Sequence, residues 1–355
     1  MIVNQEYANR HPYAPCRPCP AQDCCIGFLP FFILFAPRRR RAAFGLWHGH
    51  RGGGLCNTRH IIRRINIMRL FRIFGALPWL LALSAAPALA DNPAAGSWQQ
   101  QVAAVSAGRD SLSRGHAITA RLDALGIQWR REAFERDGKR GSNLLADLGG
   151  PAGAPLLLIG AHYDKVEIGH GATDNASGVA AVLELAAALK ARPLTAHRVQ
   201  VAFWDLEEHG LLGSHAWVET PDRERPALYV NFDVFGWGDT LWMMSPNADT
   251  PLIRSLREAA SAQQLGFAPG ERYPPTDHLA FLNSGWPAVS FSLVGGDEID
   301  AILAVFGGQN PPVAPKVMQV IHSARDTIAE IDAVHIGKAL TVVERGLRDW
   351  DSANR

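Results

Sequence analysis

Five side chains of the types that bind metal ions lie between residues 162 and 322, each next to a glycine, a loop signal or a strand-like run. They are His162, Asp174, Glu208, Asp233 and His322. A two-metal hydrolase needs this set, because one carboxylate bridges two ions and each ion takes one histidine and one further carboxylate. Glu207, directly before Glu208, is the candidate for an extra carboxylate that works as general base.

The side chains divide into two sites that share one carboxylate. Asp174 is the natural bridge, His162 and His322 serve different ions, and Glu208 and Asp233 complete one site each. Asp164 is placed to accept a hydrogen bond from the second ring nitrogen of His162, which would fix the tautomer of that ligand. Imidazole and carboxylate ligands without thiolate suit two Zn²⁺ ions, and also Co²⁺ or Mn²⁺.

Single members of this set mean little by themselves. An Asp-Asn-Ala-Ser-Gly stretch before a helix is more often a helix cap, and an adjacent pair of glutamates is usually a charged surface. The prediction therefore depends on the whole ordered set. Asp277 and His278 precede a strand that runs back towards the centre, and we expect this pair to contact substrate or support the ligands.

The elements that must position these residues alternate between strand and helix. Near-continuous apolar runs predict buried strands, and amphipathic or alanine-rich runs predict helices. The strands are expected near 129–134, 142–148, 155–161, 198–204, 228–232 and 287–293, and the helices near 98–125, 178–189, 251–264 and 331–347. This alternation predicts a single-domain, three-layer α/β/α fold with a mixed, mostly parallel sheet, whose ligands gather at the carboxyl ends of strands.

The N-terminal quarter of the chain differs in composition from the rest. Residues 1–67 hold all five cysteines and ten arginines, and residues 68–90 read as a signal peptide that ends in Ala88-Leu89-Ala90. The apolar run from Phe74 to Leu83 is far shorter than the roughly 20 residues of a membrane span. We expect translation to start at Met68, so that residues 1–67 are a non-native or disordered leader and 91–355 are the catalytic domain.

Residues 91–355 carry 23 basic and 32 acidic side chains, a net charge of −9, and no cysteine. This acidic balance argues against a nucleic-acid partner. No cysteine follows the cleavage site, so no stable membrane anchor is expected there. The sequence thus predicts a secreted or periplasmic protein, and it leaves the oligomeric state open.

The ordered series resembles the co-catalytic dizinc exopeptidases of clan MH, in the branch with secreted bacterial leucyl aminopeptidases, plasma glutamate carboxypeptidase and glutaminyl cyclases. It comprises His162-x-Asp164, Asp174-Asn175-x-Ser177-Gly178, Glu207-Glu208-x-Gly210, Asp233, Asp277-His278 and His322-x-x-x-Asp326-Thr327. The resemblance covers about 142–347. It implies a mixed eight-stranded sheet, removal of N-terminal residues from peptides, a cis peptide after Asp174, and the ligand set given above. His209 is bulkier than the family pattern leads us to expect.

Several functions remain open within this resemblance. An aminopeptidase is the leading interpretation, and the alternatives are a glutaminyl cyclase, a carboxypeptidase or dipeptidase, and a metal-free binding domain. A carboxypeptidase needs a cation that binds the substrate carboxylate, for which the candidates are Lys165, Arg272 and Arg325. Phe235, Trp237, Phe281 and Trp286 either line a specificity pocket or belong to the core, and core packing is the simpler interpretation.

Overall fold

An eight-stranded sheet is the centre of the computed structural model, which describes residues 93–354. Its strands are β1 Trp129–Arg136, β2 Lys139–Gly149, β3 Leu156–His162, β4 Arg198–Trp204, β5 Leu228–Phe232, β6 Thr240–Met244, β7 Gly266–Gly270 and β8 Ala288–Val294. The spatial order is β1-β2-β4-β3-β5-β8-β6-β7. The four central strands β4, β3, β5 and β8 are parallel, and β2 and β6 flank them in antiparallel orientation.

Helices cover both faces of the sheet. They are α1 Pro93–Ser106, α2 Ser111–Ala124, α3 Ser177–Ala191, α4 Leu212–Val218, α5 Pro251–Gln263, α6 His278–Asn283, α7 Ile299–Phe306, α8 Lys316–Val320 and α9 Ile336–Ala353. Alternate residues of β3 point into different cores: Leu157 and Ile159 pack with α1, α3 and α9, whereas Leu158 packs with α4 and α6. This is the predicted three-layer mixed α/β fold.

The main differences from the sequence prediction concern short or interrupted elements. The single helix predicted over 98–125 is two helices, because Asp110 caps the start of α2. The Asp110 carboxylate accepts the Ser113 N–H, and the Ser113 hydroxyl accepts the Asp110 N–H in return. The terminal helix predicted over 331–347 begins five residues later and runs to Ala353. The short elements β6, β7, α4, α6, α7 and α8 were not predicted, since the four helices have at most eight residues, about two turns, which is too short to show a helical period, and β7 contains a proline and two glycines, which are depleted in strands.

The predicted leader and signal peptide lie outside the described residues. Among residues 93–354, no helix combines the length and the apolar character that crossing a bilayer requires. The described residues fall within one compact unit.

A buried carboxylate ties the last helix to the start of β4. Asp351 accepts hydrogen bonds from the backbone N–H groups of Thr195 and Ala196 at 2.8 and 3.0 Å, and its Oδ1 lies 2.9 Å from His197 Nδ1. Burial opposes ionisation here, but these hydrogen bonds outweigh it and hold the pKa of Asp351 below its ordinary value. The charged form therefore stabilises the fold above about pH 4, and this contribution is lost as the pH falls through the lowered pKa.

We expect Asp351→Asn to destabilise the protein at pH 7 by about 2–3 kcal/mol, because an amide can satisfy only some of these donors. Thermal unfolding should show a lower melting temperature at pH 7 and a smaller difference from wild type at pH 3, where the wild-type carboxyl is also becoming protonated. Asp349→Asn on the exposed side of the same helix is the matched control. Equal melting temperatures for the two variants would contradict the assignment.

Candidate metal centre

The predicted ligands come from five separate loops. His162 is the last residue of β3, Glu208 lies in the turn after β4, and Asp233 directly follows β5. Asp174 lies in the tight turn Ala172–Ala176 before α3, and His322 follows α8. Because the carboxyl ends of β3, β4 and β5 meet at one edge of the sheet, their loops converge there.

The structure brings these five side chains into contact as two groups that share Asp174. His162 Nε2 lies 3.1 Å from Asp174 Oδ1 and 3.5 Å from Asp233 Oδ1. His322 Nε2 lies 3.1 Å from Asp174 Oδ2 and 3.0 Å from Glu208 Oε2. Each oxygen of the Asp174 carboxylate therefore faces a different histidine, which is the arrangement expected of a bridging ligand.

The electrostatics of the cluster fit bound cations. The carboxylates of Asp174 and Glu208 raise the pKa of His322 to about 11, and burial, reinforced by the charge of Asp174, raises the pKa of Glu208 to about 7. Among the described side chains, Glu208 Oε1 and Asp233 Oδ1 are buried without a hydrogen-bond partner. Buried carboxylates are costly unless positive charge and further ligation satisfy them, and divalent ions between the two histidines would supply both.

Two aspartates close to the predicted ligands accept hydrogen bonds from backbone N–H groups. Asp164 accepts the N–H of Glu207 at 3.0 Å and that of Glu208 at 3.2 Å. Its Oδ1 also lies 3.3 Å from His162 Nδ1, close enough for electrostatic attraction but without hydrogen-bond geometry. Asp326 accepts the N–H groups of Thr173 and Asp174. Asp164 thus orients the glutamate pair as well as facing the histidine.

The turn that carries Asp174 has the expected cis peptide between Asp174 and Asn175. The Asn175 side chain donates to the Phe232 carbonyl at 2.9 Å and accepts the Gly178 N–H at 2.9 Å. A Cβ on Gly178 would lie 2.3 Å from Asn175 Oδ1, so only glycine fits at this first turn of α3. The packing of the turn therefore requires Asn175 and Gly178 of the Asp-Asn-x-Ser-Gly pattern.

Three non-glycine residues beside the ligands have left-handed backbone conformations. The φ angles are 59° at Leu206, 55° at Val234 and 55° at His322. Such angles are uncommon outside glycine, and exceptional for a β-branched residue such as valine. Each turns the chain sharply next to Glu207, Asp233 or His322 itself. None of these three positions is a glycine, so the turns could not be predicted from residue type.

Glu207 lies beside the predicted metal ligands and partly faces a cavity. Desolvation raises the pKa of Glu207 well above its ordinary value against the opposing charge of His162, and the carboxylates of Asp277 and Asp233 add to the rise. Asp277 and His278 are fully buried. His278 packs edge-on to Tyr273, which lines the cavity, whereas His209 is exposed to solvent.

The cavity beside the ligands has one acidic and one apolar side. Its charged lining residues are Asp174, Glu207, Glu208 and Asp233, joined by His322, and its apolar wall is formed mainly by Trp242, Tyr273, Val294, Ile302, Phe306 and Val317. This wall was not predicted from the sequence. None of the four aromatic residues considered for it lines this cavity, and all four pack in or against hydrophobic clusters, as the simpler interpretation predicted.

A model of peptidase family M28 matches residues 143–345, more than half of the chain. The chain belongs to peptidase family M28. Leupeptin-inactivating enzyme 1 of Streptomyces exfoliatus is 33% identical over 260 residues, covering 64% of this chain and 57% of that protein. Probable leucine aminopeptidase 2 of Aspergillus fumigatus is 30% identical over 183 residues, covering 47% of this chain and 36% of that protein. The chain spans little more than half of the first relative and about a third of the second.

Solved structures share the fold of this M28 chain. LapB from Legionella pneumophila superposes with a TM-score of 0.58 at 16% identity, covering 74% of this chain and 75% of that chain. Porphyromonas gingivalis glutaminyl cyclase gives a TM-score of 0.58 at 20% identity, covering 73% and 98%. At these identities the likeness establishes the α/β architecture only.

Proposed function

We propose that this M28 protein is a metallo-aminopeptidase that uses two zinc ions. His162, Asp174 and Asp233 would hold one ion, and His322, Asp174 and Glu208 the other. Zinc, when bound, lowers the pKa of water and polarises a carbonyl oxygen, as hydrolysis of an amide requires. Glu207 would take a proton from the attacking water and pass it to the leaving amine.

The observation that carries the choice of aminopeptidase is the distribution of charge in the cavity. Among the described residues, the charged side chains that line it are four carboxylates and a histidine, with no lysine or arginine. The ions would neutralise Asp174, Glu208 and Asp233, so a C-terminal carboxylate would find no lysine or arginine to bind it, whereas a free N-terminal amine needs none.

The cations considered for a carboxypeptidase lie elsewhere. Arg325 donates to Glu330 at 2.9 Å, and the Lys165 amine donates to the carbonyl of Val166 at 2.8 Å. Arg272 lines a different depression beside β7.

The deciding experiment compares leucine p-nitroanilide with its N-acetyl form on residues 91–355, alongside zinc analysis. We expect two zinc ions per chain and hydrolysis of the free-amine substrate only. Equal cleavage of both substrates would overturn the aminopeptidase assignment. Conversion of an N-terminal glutamine peptide to pyroglutamate without hydrolysis would establish a glutaminyl cyclase, and absence of zinc would overturn the metal centre.

The apolar wall should select the N-terminal side chain. Phe306 ends α7 and lines the cavity. We expect Phe306→Ala to lower kcat/KM for leucine and phenylalanine substrates by about 10- to 100-fold, because apolar contact with the substrate is lost, and to affect an alanine substrate less. Steady-state kinetics on the three p-nitroanilides would test this, with Phe134→Ala on the edge strand β1 as control. A uniform loss on all three would contradict a specificity role.

We also propose that this protein is exported. This proposal rests on the signal-peptide pattern of residues 68–90, which precede the described residues. N-terminal sequencing of the mature protein should give Asp91, and a peptide from before Met68 would contradict both the start site and the cleavage.

A further inference from the structure

A helix pair that precedes the family-matched segment contacts the loops of the metal centre. Helices α1 and α2 end at residue 124, whereas the family match begins at residue 143. Arg114 of α2 is a fully buried arginine at this contact. Its side chain is the most constrained link between the helix pair and the ligand loops.

The Arg114 guanidinium donates to three backbone carbonyls at the two ends of one loop. Nε donates to Tyr163 at 2.5 Å, Nη1 to His170 at 3.0 Å and Nη2 to Gly171 at 3.1 Å. The loop therefore begins one residue after His162 and ends three residues before Asp174. A planar guanidinium with five fixed donors can span these carbonyls, and the single ammonium of lysine cannot.

The backbone of this loop is shaped to admit the arginine. Gly171 has a φ of 59°, and a Cβ there would lie 3.1 Å from Arg114 Nη1 and 2.7 Å from the Asp174 carbonyl oxygen. Burial lowers the pKa of Arg114 to about 10, against the attraction of Asp164 and Asp326, so the side chain stays charged at neutral pH.

The same helix pair reaches two other ligand-bearing segments. Ser111 donates its hydroxyl to Asp205 Oδ1 at 2.7 Å, directly before the loop with Glu207 and Glu208. The Trp98 indole donates to the Ser177 carbonyl at 3.0 Å, just after the Asp174 turn. Three of the ligand loops are thus connected to residues 93–124.

We infer that Arg114 is a positioning residue that presets His162 and Asp174 for metal binding by closing the loop between them. The inference rests on the proposed metal centre. Two effects of removing Arg114 have opposite signs: loss of a nearby positive charge favours cation binding, whereas loss of loop order disfavours it. Arg114→Lys retains the charge and removes the three-carbonyl contact, so it isolates positioning from charge.

The test is zinc affinity by competition with a chromophoric chelator, together with amide hydrogen exchange of residues 163–176 in the zinc-free protein. We expect Arg114→Lys and Arg114→Gln each to weaken zinc binding by about 10- to 100-fold, as for other residues that support metal ligands, and to speed exchange in this segment. Arg121→Lys, on the same helix, should change neither.

The inference would be overturned if Arg114→Lys bound zinc as tightly as wild type and exchanged its amide hydrogens at the wild-type rate. This holds even if the melting temperature of the variant fell, because a purely structural role for Arg114 would lower stability alone. Tighter zinc binding in Arg114→Gln would overturn it in favour of a charge effect. Wild-type protein that binds no zinc would overturn the proposed function and the metal-affinity part of the inference. The exchange measurement on zinc-free protein decides the positioning part separately.

Discussion

Glu207→Gln should reduce kcat by about 100- to 10,000-fold, the usual contribution of a general base, and leave two zinc ions bound. The substitution keeps the shape of the side chain and removes its capacity to accept a proton. Its backbone N–H would still donate to Asp164, so the turn with Glu208 should keep its geometry. Steady-state kinetics on leucine p-nitroanilide would measure kcat, and metal analysis of the same sample would measure the number of zinc ions bound.

Metal content makes this test discriminating, because Glu207 also lies near enough to His162 and Asp233 to be a ligand itself. A variant that loses one zinc would show that Glu207 is a ligand, and a variant with nearly full activity would exclude it as the base. Glu258→Gln, on the exposed side of α5, is the control and should match wild type in both measurements.

Asp174→Asn should have the second large effect, because each oxygen of this carboxylate faces a different histidine. An amide offers one oxygen and no charge, so it cannot bridge two cations. We expect zinc to fall from two ions per chain to at most one, and kcat/KM to fall by about 1,000-fold or more, since metal stabilisation of the transition state is worth several kcal/mol.

The loss of zinc should also lower thermal stability, because an ion that binds only the folded state stabilises it by mass action. Melting curves with and without added zinc would then differ for wild type and nearly coincide for Asp174→Asn. Asp351→Asn is the matched control, since it should lower the melting temperature yet keep both ions. Retention of two ions in Asp174→Asn would show that another group bridges them.

The chemistry of the candidate site could be predicted from residue types and order. Imidazoles and carboxylates are the only side chains in the series that fit two such ions, and runs such as 156–162 must be buried strands, because so apolar a segment is not stable in water. The carboxyl ends of neighbouring parallel strands meet at one edge. For His162, Glu208 and Asp233 the sequence pattern therefore already placed the side chains close together.

The cavity, and the residues that hold the predicted ligands in place, could not be predicted from the sequence. Ile302 and Phe306 look like any apolar helix residues, and Arg114 looks like a surface arginine of an amphipathic helix. The apolar wall forms because α7 and α8 pack beside β6 and β8, and no local period encodes that packing.

Local sequence therefore determined which groups are available for metal chemistry and which strands carry them, since these depend on side-chain type and on periods of a few residues. Only the tertiary structure decided the distances at which the two Asp174 oxygens face His162 and His322, that Asp164 accepts hydrogen bonds from the glutamate turn, and that Arg114 closes the loop between His162 and Asp174. Those contacts join residues 12 to 148 positions apart, and their distances follow from how the whole chain packs.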